Sequence, residues 1–189
     1  MILLGLGSNL PSSLGDRFHN INLAISKLTE NKINIIKKSS FYESLAYPNK
    51  DDPKFINIVI KVESSLSKES FASVLISIEE SIERKRNKKN APRTCDIDIL
   101  DFNNLITTFK YKDFIFNVPH KGIVFRNFVL YPLKEIMPNW IHPITKEPID
   151  VLINNLSNED KKSILKITKP WYIKCNVETK RFDWESKKL

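Results

Sequence analysis

Residues 93–100, Arg-Thr-Cys-Asp-Ile-Asp-Ile-Leu, constrain the possible folds of this chain more than any other stretch. From Cys95 onward, apolar and polar residues alternate, which is typical of a half-buried β-strand. Side chains two positions apart on a strand project from the same face. Asp96 and Asp98 are therefore predicted to share one face, and Cys95 is predicted to lie in the core on the other. The chain must build a sheet that covers this apolar side.

The two aspartates are the first candidates for a binding site. Neighbouring carboxylates repel each other unless a cation lies between them, and Mg²⁺ commonly binds one or two protein carboxylates together with substrate phosphates. Arg93 precedes the pair, and a guanidinium can bind phosphate through two parallel hydrogen bonds. The pattern therefore indicates a site for a magnesium-bound phosphate compound. The alternative is an ordinary solvent-facing strand edge that carries two acids.

The order of the other predicted elements indicates the fold class. Strands are predicted at residues 2–8, 33–44 and 55–62. Helices are predicted at residues 14–28 and after Ser67, a residue type suited to capping a helix. With the aspartate-bearing strand, the order becomes β-α-β-β-α-β. This order predicts an α+β, ferredoxin-like core with an antiparallel sheet and additional C-terminal helices.

The strand at residues 55–62 has two different faces. Its even-numbered residues are all aliphatic and are predicted to face the core, whereas Phe55 and Asn57 lie on the same side as the two aspartates. An aromatic ring for stacking beside an amide for hydrogen bonding suits a flat heterocyclic ligand. Gly5 and Gly7 share a face of the first strand and leave room there for close approach. The alternative is a sheet face that other parts of the chain partly cover.

Residues 83–91 form a polar, strongly cationic stretch without an apolar anchor. Such a stretch is predicted to be a mobile loop. Because it leads directly to Arg93 and the aspartates, it is a candidate lid over the phosphate site. The alternative is a solvated loop without a function.

The overall composition is that of an ordinary globular protein. The 189 residues suit one domain, and 41% hydrophobic with 28% charged residues is typical of a soluble fold. The sequence has no apolar run of membrane-spanning length, its apolar start lacks a basic leader, and its two cysteines lie far apart, so a cytoplasmic protein is expected. The net charge of +8 favours nucleic acid, anionic lipid or a polyphosphate ligand, or reflects only a lysine-rich composition.

Several common nucleotide-binding patterns are missing from the sequence. Residues 5–10 are not a dinucleotide fingerprint, because Leu10 occupies the third glycine position. The sequence contains no Walker-type phosphate loop, kinase signature set or serine nucleophile motif. A phosphoryl-transfer reaction on this chain would therefore rely on metal ions and arginines positioned on a sheet.

Six short motifs follow one another along residues 1–150. They are G-x-G-S-N-L from Gly5, S-S-F-Y-E from Ser39, F-I-N from Phe55, A-P-R-T-C-D-I-D-I-L from Ala91, V-P-H from Val118 and R-N-F-V-L-x-P-L-x-E-I-x-P from Arg126. In this order they resemble the 6-hydroxymethyl-7,8-dihydropterin pyrophosphokinases of folate biosynthesis. The resemblance implies transfer of the β,γ-pyrophosphoryl group of ATP to the pterin hydroxymethyl group, with release of AMP.

The resemblance also implies roles for individual residues. Asp96 and Asp98 would bind two Mg²⁺ ions, and Arg84 and Arg93 would act as catalytic residues that stabilise developing charge. The implied pterin-binding residues are Ser44, Phe55, Asn57 and Phe128. The implied ATP-binding residues are Glu79, Arg86, Arg93, His120 and Arg126. The chain departs from the usual family pattern at Asn90, at Lys121 and at residues 44–48.

We expect a pyrophosphokinase domain at residues 1–155 and a C-terminal extension at residues 156–189 that packs on the same domain. The expected partners are the small molecules ATP and dihydropterin, with no nucleic acid and no membrane. A monomer is expected, and contact with neighbouring folate-pathway enzymes is left open. Two alternative functions also stay open: an inactive homologue that only binds ligands, and a basic, nucleic-acid-binding ferredoxin-like module.

Overall fold

An antiparallel six-stranded sheet forms the centre of the protein. The computed structural model describes residues 1–47, 49–85 and 91–168. The strands are β1 (Ile2–Ser8), β2 (Asn34–Lys38), β3 (Tyr42–Ser44), β4 (Phe55–Glu63), β5 (Asp96–Phe102), β6 (Thr107–Tyr111), β7 (Phe114–Val118) and β8 (Ile164–Lys166). The sheet order is β5-β1-β4-β3-β8, and β2 also pairs with β4, while β6 and β7 form a separate hairpin. The predicted α+β, ferredoxin-like fold class is confirmed.

The helices are α1 (Arg17–Glu30), α2 (Lys68–Ser81), α3 (Asn127–Ile136), α4 (Ile149–Asn155) and α5 (Asn158–Lys162), with a 3₁₀ turn at Ile123–Phe125. The Asp16 side chain accepts a hydrogen bond from the His19 amide and caps α1, and Ser67 caps α2 in the same way through Ser70. Helix α1 therefore begins three residues later than the sequence predicted, because Asp16 acts as the cap. Among the described residues, no helix is both long and apolar enough to cross a membrane.

Two hydrophobic cores lie on opposite faces of the sheet. Helices α1 and α2 pack on the face formed by the even-numbered residues of β4, as predicted, and Cys95 is fully buried in this core. Burial raises the pKa of the Cys95 thiol, so this cysteine is an unreactive core residue. On the other face, α3 and α4 cover Leu3, Val59 and Leu100. The second face is therefore partly covered, and the candidate ligand groups occupy the part that these helices leave open.

The predicted second strand, residues 33–44, is divided into β2 and β3. The break lies at Ser39, whose hydroxyl accepts a hydrogen bond from the Val59 amide at 3.0 Å, while the Ser39 amide donates to the Val59 carbonyl at 3.0 Å. The Ser39 hydroxyl thus takes the place of a main-chain carbonyl as the partner of the Val59 amide on β4. This break allows Phe41 to enter the core, where it is 3% exposed.

The C-terminal part of the described chain adds a strand to the sheet. Strand β8 pairs antiparallel with β3, and Ser44 lies opposite Ile164. The sequence did not predict this strand, because its three residues carry no recognisable alternation. The predicted division at residues 155 and 156 stays a prediction, and the aromatic residues and Cys175 of the predicted extension lie outside the described residues.

A partly exposed acidic junction at Glu135 joins β3 to α3. Glu135 accepts hydrogen bonds from the Ser40 hydroxyl and the Tyr42 hydroxyl, both at 2.8 Å. Partial burial alone would raise the pKa of Glu135, but the hydrogen bonds from Tyr42 and Ser40 outweigh it and hold the pKa below its usual value. The folded state therefore favours the ionised carboxylate.

Replacing Glu135 with glutamine is expected to lower the unfolding free energy at pH 7 by about 1–2 kcal/mol, because charged hydrogen bonds are lost. A carboxyl with a depressed pKa stabilises the fold above its unfolded-state value of 4.5, and this contribution is lost as the pH falls through the lower folded-state value. The difference between the two proteins should therefore shrink below pH 4.5. Urea unfolding over a pH series measures it, with the exposed Glu63→Gln as control. A difference that does not change with pH would contradict this account.

Candidate active site

Two cavities open on either side of the aspartate-bearing strand β5. The first has a volume of about 410 Å³ and the second about 200 Å³. Asp96 and Asp98 line both cavities. Two separate ligand volumes that share one acidic wall are the arrangement needed to bring two substrates together for group transfer.

The first cavity combines aromatic rings with a fixed amide. It is lined by Ser44, Phe55, Asn57 and Phe128, among others. Asn57 is 5% exposed, and its Nδ2 donates to Ser44 Oγ at 3.0 Å. A Cβ atom at Gly7 would lie 3.2 Å from Asn57 Oδ1 and 3.4 Å from the Phe55 ring. Glycine on β1 therefore leaves space for both side chains, and the cavity suits a flat, polar-edged ligand.

The second cavity has apolar walls and a charged end. Ile97, Ile99, Phe114 and Phe116 contribute to the walls, and β7 supplies the two phenylalanines. Glu79, Arg84 and His120 line the same cavity beside the two aspartates. The sequence interpretation missed the β6–β7 hairpin, because most of its residues are only partly buried and lack a clear period. An apolar slot that leads to a charged cluster suits a nucleotide base with attached phosphates.

Three arginines meet the carboxylates between the cavities. Arg84 contacts both Glu79 and Asp96. Arg93 Nη1 lies 2.7 Å from Asp96 Oδ2, and Arg126 Nη1 lies 2.9 Å from Asp98 Oδ2. Burial alone would raise the pKa of Asp96, but the guanidinium charges of Arg84 and Arg93 outweigh burial and lower it. Asp96 is therefore ionised at neutral pH, the state in which a carboxylate binds cations.

His120 lies at the edge of the same cluster, with Nε2 3.9 Å from Asp98 Oδ2. Burial lowers the pKa of His120, and the negative charge of Asp98 opposes the shift without cancelling it. At neutral pH the imidazole is therefore mostly uncharged. Because its Nδ1 accepts a hydrogen bond from the Gly122 amide at 3.0 Å, Nε2 carries the proton and can donate one hydrogen bond at the mouth of the second cavity.

Glu79 connects helix α2 to the strand that bears the aspartates. It is 2% exposed, and its Oε1 accepts a hydrogen bond from the Ile97 amide at 2.7 Å as well as contacting Arg84. The Glu79 carboxylate thus fixes the position of β5 and of a site arginine. The resemblance implies that Glu79 contacts ATP. The structure shows that the same carboxylate also binds the Ile97 amide and Arg84 within the protein.

The sequence matches the model of a known protein family over residues 3–138, described as 7,8-dihydro-6-hydroxymethylpterin-pyrophosphokinase. The chain belongs to this family. A pyrophosphokinase of that type from Aquifex aeolicus is 38% identical over 148 residues, which cover 78% of this chain and 87% of the relative. A second pyrophosphokinase of this type, from Synechocystis, is 31% identical over 155 residues, which cover 82% of this chain and 75% of the relative.

Other relatives of this pyrophosphokinase family member are longer proteins. The Schizosaccharomyces pombe folic acid synthesis protein fol1 is 31% identical over 157 residues, covering 82% of this chain and 20% of the relative. A crystal structure of Plasmodium falciparum HPPK-DHPS superposes with a TM-score of 0.68 at 15% identity, covering 89% of this chain and 46% of that chain. The chain thus spans only part of these longer proteins, and the structural likeness supports the fold.

The residues at the shared wall of this pyrophosphokinase fit Mg²⁺. Asp96 and Asp98 offer hard carboxylate oxygens on one face of β5, which is the donor type that Mg²⁺ prefers. In the described part of the chain, no group of three or more His, Cys, Asp or Glu side chains is arranged to hold a metal ion. Substrate phosphates and water would therefore complete the coordination.

Asn9 is a site residue that the sequence interpretation left without a role. It is 2% exposed; its Oδ1 accepts from the Arg93 amide at 2.6 Å, and its Nδ2 donates to the Pro53 carbonyl at 3.0 Å. One side chain thus holds together the segments that precede Phe55 and Asp96. The only signal in the sequence was its place in the G-x-G-S-N-L motif of the pyrophosphokinase family.

Arg86 and Asn90 lie outside the described residues, so the predicted lid at residues 83–91 stays a prediction. At the start of that stretch, Glu83 accepts hydrogen bonds from the amide and the hydroxyl of Ser13. The base of the cationic stretch is therefore joined to the loop that follows β1.

Proposed function

We propose that this chain transfers the β,γ-pyrophosphoryl group of ATP to 6-hydroxymethyl-7,8-dihydropterin in folate biosynthesis. The observation that carries the proposal is the pair of cavities that share Asp96 and Asp98 as a common wall. Family membership and the pyrophosphokinase names of well-covered relatives support it. In the reaction, the pterin hydroxyl oxygen forms a bond to the β-phosphorus, the bond from that phosphorus to the α,β-bridging oxygen breaks, and AMP leaves. The hydroxyl proton is released.

The first cavity is the proposed pterin site. Phe55 and Phe128 would contact the two faces of the ring system, because both line the cavity and aromatic rings stack on flat heterocycles. Asn57 would hydrogen-bond the polar edge of the pterin, and Ser44 holds the Asn57 amide through the 3.0 Å hydrogen bond. A preformed amide of this kind reduces the ordering cost of binding.

The second cavity is the proposed ATP site. Its apolar walls would hold the adenine, and His120 and Arg126 would contact the phosphates near Asp98. Glu79 would contact ATP in this cavity, and it also holds Arg84 in position through their ion pair. Arg86 is proposed to contact ATP from the cationic stretch on the basis of the family resemblance alone.

Charge balance supports a metal ion in this site. The positive charges of Arg84, Arg93 and Arg126 are matched by the negative charges of Asp96, Asp98 and Glu79. A triphosphate adds several negative charges to this neutral cluster. We propose that two Mg²⁺ ions bind Asp96 and Asp98, where such ions neutralise phosphate charge and orient an in-line displacement.

Arg84 and Arg93 are the proposed catalytic residues. Both contact Asp96, which places their guanidinium groups at the boundary between the two cavities. When the phosphate chain binds there, the same groups would stabilise the negative charge that develops on the transferred oxygens. Preorganised cations at the reacting phosphorus raise the rate more than they raise ATP affinity, because the charge they stabilise grows in the transition state.

We further propose that the chain acts as a monomer in the cytoplasm, without nucleic acid as a partner. Without a metal, the arginine and carboxylate charges of this site balance, so it offers no net attraction to the phosphates of a nucleic acid. Several relatives named as folate synthesis proteins are much longer than this chain, such as the folate synthesis bifunctional protein of Pisum sativum. Contact with another enzyme of folate synthesis is therefore proposed as well.

The decisive test measures AMP release from ATP in the presence of Mg²⁺, with and without 6-hydroxymethyl-7,8-dihydropterin. We expect AMP to form only when the pterin is present, in a one-to-one ratio with the pterin diphosphate. ATP hydrolysis to ADP would contradict pyrophosphoryl transfer. Pterin binding without any turnover would favour the inactive homologue instead.

A further inference from the structure

We propose that residues 157–167, here called the C-terminal clamp, position the walls of the pterin cavity, and that Asn127 is the positioning residue through which they do so. The clamp consists of α5, Ser163 and β8, together with Ser157 and Ile167. It lies beyond residue 138, where the family match ends. The inference rests on the proposed function, because it concerns the affinity of the site for dihydropterin.

Asn127 joins the clamp to the start of helix α3. It is 6% exposed, and its Nδ2 donates to the Asp160 carbonyl at 2.6 Å and to Ser163 Oγ at 2.9 Å. The Ser163 hydroxyl itself donates to the Asp160 carbonyl at 3.0 Å. An amide nitrogen has two hydrogens, and the clamp accepts both. Asn127 stands between Arg126 and Phe128, which both line the first cavity.

The clamp is also joined to the opposite wall of the same cavity. Strand β8 pairs with β3, so that Ser44 lies opposite Ile164, and the Ile167 amide donates to the Phe41 carbonyl at 2.8 Å. Ser44 is the residue that holds the Asn57 amide. The clamp therefore connects the amide side of the pterin cavity to the helix that carries Phe128.

Two ion pairs extend these connections. Lys50, on the loop between β3 and β4, pairs with Glu159 of α5, and Lys166 Nζ lies 3.4 Å from Glu135 Oε2. Exposed pairs of this kind contribute little stability. These two pairs matter because of where they lie. They link the clamp to the loop that precedes Phe55 and to Glu135, which joins β3 to α3.

The consequence is a pterin cavity whose two walls are held at one separation before the ligand arrives. Phe128 belongs to α3 and Asn57 to β4, and the clamp bridges α3 to β3, the neighbour of β4. A preformed cavity binds more tightly, because less ordering remains to be done on binding. The residues that line the second cavity do not include the clamp or Asn127. Loss of the connection should therefore weaken dihydropterin binding. It should leave ATP binding nearly unchanged, because Arg126, the proposed ATP contact beside Asn127, is held by Asp98 at 2.9 Å and not by the clamp.

The test compares Asn127→Ala, Ser163→Ala and the double variant with the unsubstituted chain. Calorimetry measures the Kd for dihydropterin and, separately, the Kd for ATP with Mg²⁺, and steady-state assays give KM and kcat. We expect Asn127→Ala to raise the dihydropterin Kd about fivefold to tenfold and Ser163→Ala to raise it about twofold. The ATP Kd should stay within about twofold in both. Because the two residues belong to one network, the double variant should resemble Asn127→Ala.

Asn31→Ala is the matched control. Asn31 also donates through Nδ2 to a main-chain carbonyl, that of Lys27 at 2.8 Å, but it lies at the end of α1 on the opposite face of the sheet. It should leave both affinities unchanged. An unchanged dihydropterin Kd in Asn127→Ala, or equal weakening of both ligands, would overturn the clamp. Absence of dihydropterin binding by the unsubstituted chain would overturn the proposed function and the clamp with it.

Discussion

Replacing Asp98 with asparagine is expected to lower the rate of pterin-dependent AMP formation by at least about a thousandfold, equivalent to about 4 kcal/mol in the barrier. The amide keeps the size of the carboxylate but removes its charge, so the triphosphate loses its means of neutralisation at the shared wall. Arg126, which now lies 2.9 Å from Asp98, would also lose its partner. The assay is AMP release at saturating substrates over a range of Mg²⁺ concentrations.

Asp96→Asn should have an effect of the same order, with an added loss of stability because Asp96 contacts both Arg84 and Arg93. Asp113→Asn is the matched control, since this aspartate is exposed in the turn between β6 and β7. Thermal unfolding of all three variants separates lost chemistry from lost structure. Retention of more than about a tenth of the rate in both site variants would refute the magnesium assignment.

Replacing Arg93 with alanine is expected to lower kcat by about a hundredfold to a thousandfold, the usual cost of removing one preorganised electrostatic group. The Kd for ATP should change by less than about tenfold, because the guanidinium acts mainly on charge that develops in the transition state. Arg93→Lys should recover only part of the rate, since an ammonium cannot form the two-pronged contact of a guanidinium. Single-turnover rates and ATP binding must be measured separately.

The control for Arg93 is Lys134→Ala. This change removes an exposed cation in the last turn of α3, where Lys134 pairs with Asp150 of α4. The alanine variant keeps the main-chain hydrogen bonds of residue 93, in which its amide donates to the Asn9 side chain and its carbonyl accepts from the Asn9 and Leu10 amides. The loop geometry should therefore survive. A loss in ATP affinity as large as the loss in kcat would show that Arg93 serves binding and not the transition state.

The alternation along β4 and β5 was sufficient to predict which of their residues face the core beneath α1 and α2. The period of a strand is two residues, so a local pattern determines the face of each side chain once one face is buried. The confirmed fold class follows from the same local patterns in their order along the chain. The break at Ser39 was not predictable in this way, because it depends on a hydrogen bond from Val59, twenty residues away.

The candidate site shows the same division between local and long-range information. Residue type and strand period placed Asp96 and Asp98 on one face, but nothing local indicated that Asn9 would hold the segments before Phe55 and Asp96 together. The internal contacts of Glu79 with Ile97 and Arg84 likewise arise only when α2 packs against β5. Buried polar groups take whichever partners the packed chain brings within reach.

The sequence by itself determined strands β1, β4 and β5, the face that β4 and β5 bury under α1 and α2, the acidic pair and the family to which the chain belongs, because each depends on residue type at short spacing. The tertiary structure alone decided the two cavities that share Asp96 and Asp98, the covering of the second face by α3 and α4, and the pairing of β8 with β3. Those features join segments far apart in the chain. Their energies come from contacts that exist only once the chain has packed, and therefore leave no periodic signal in the sequence.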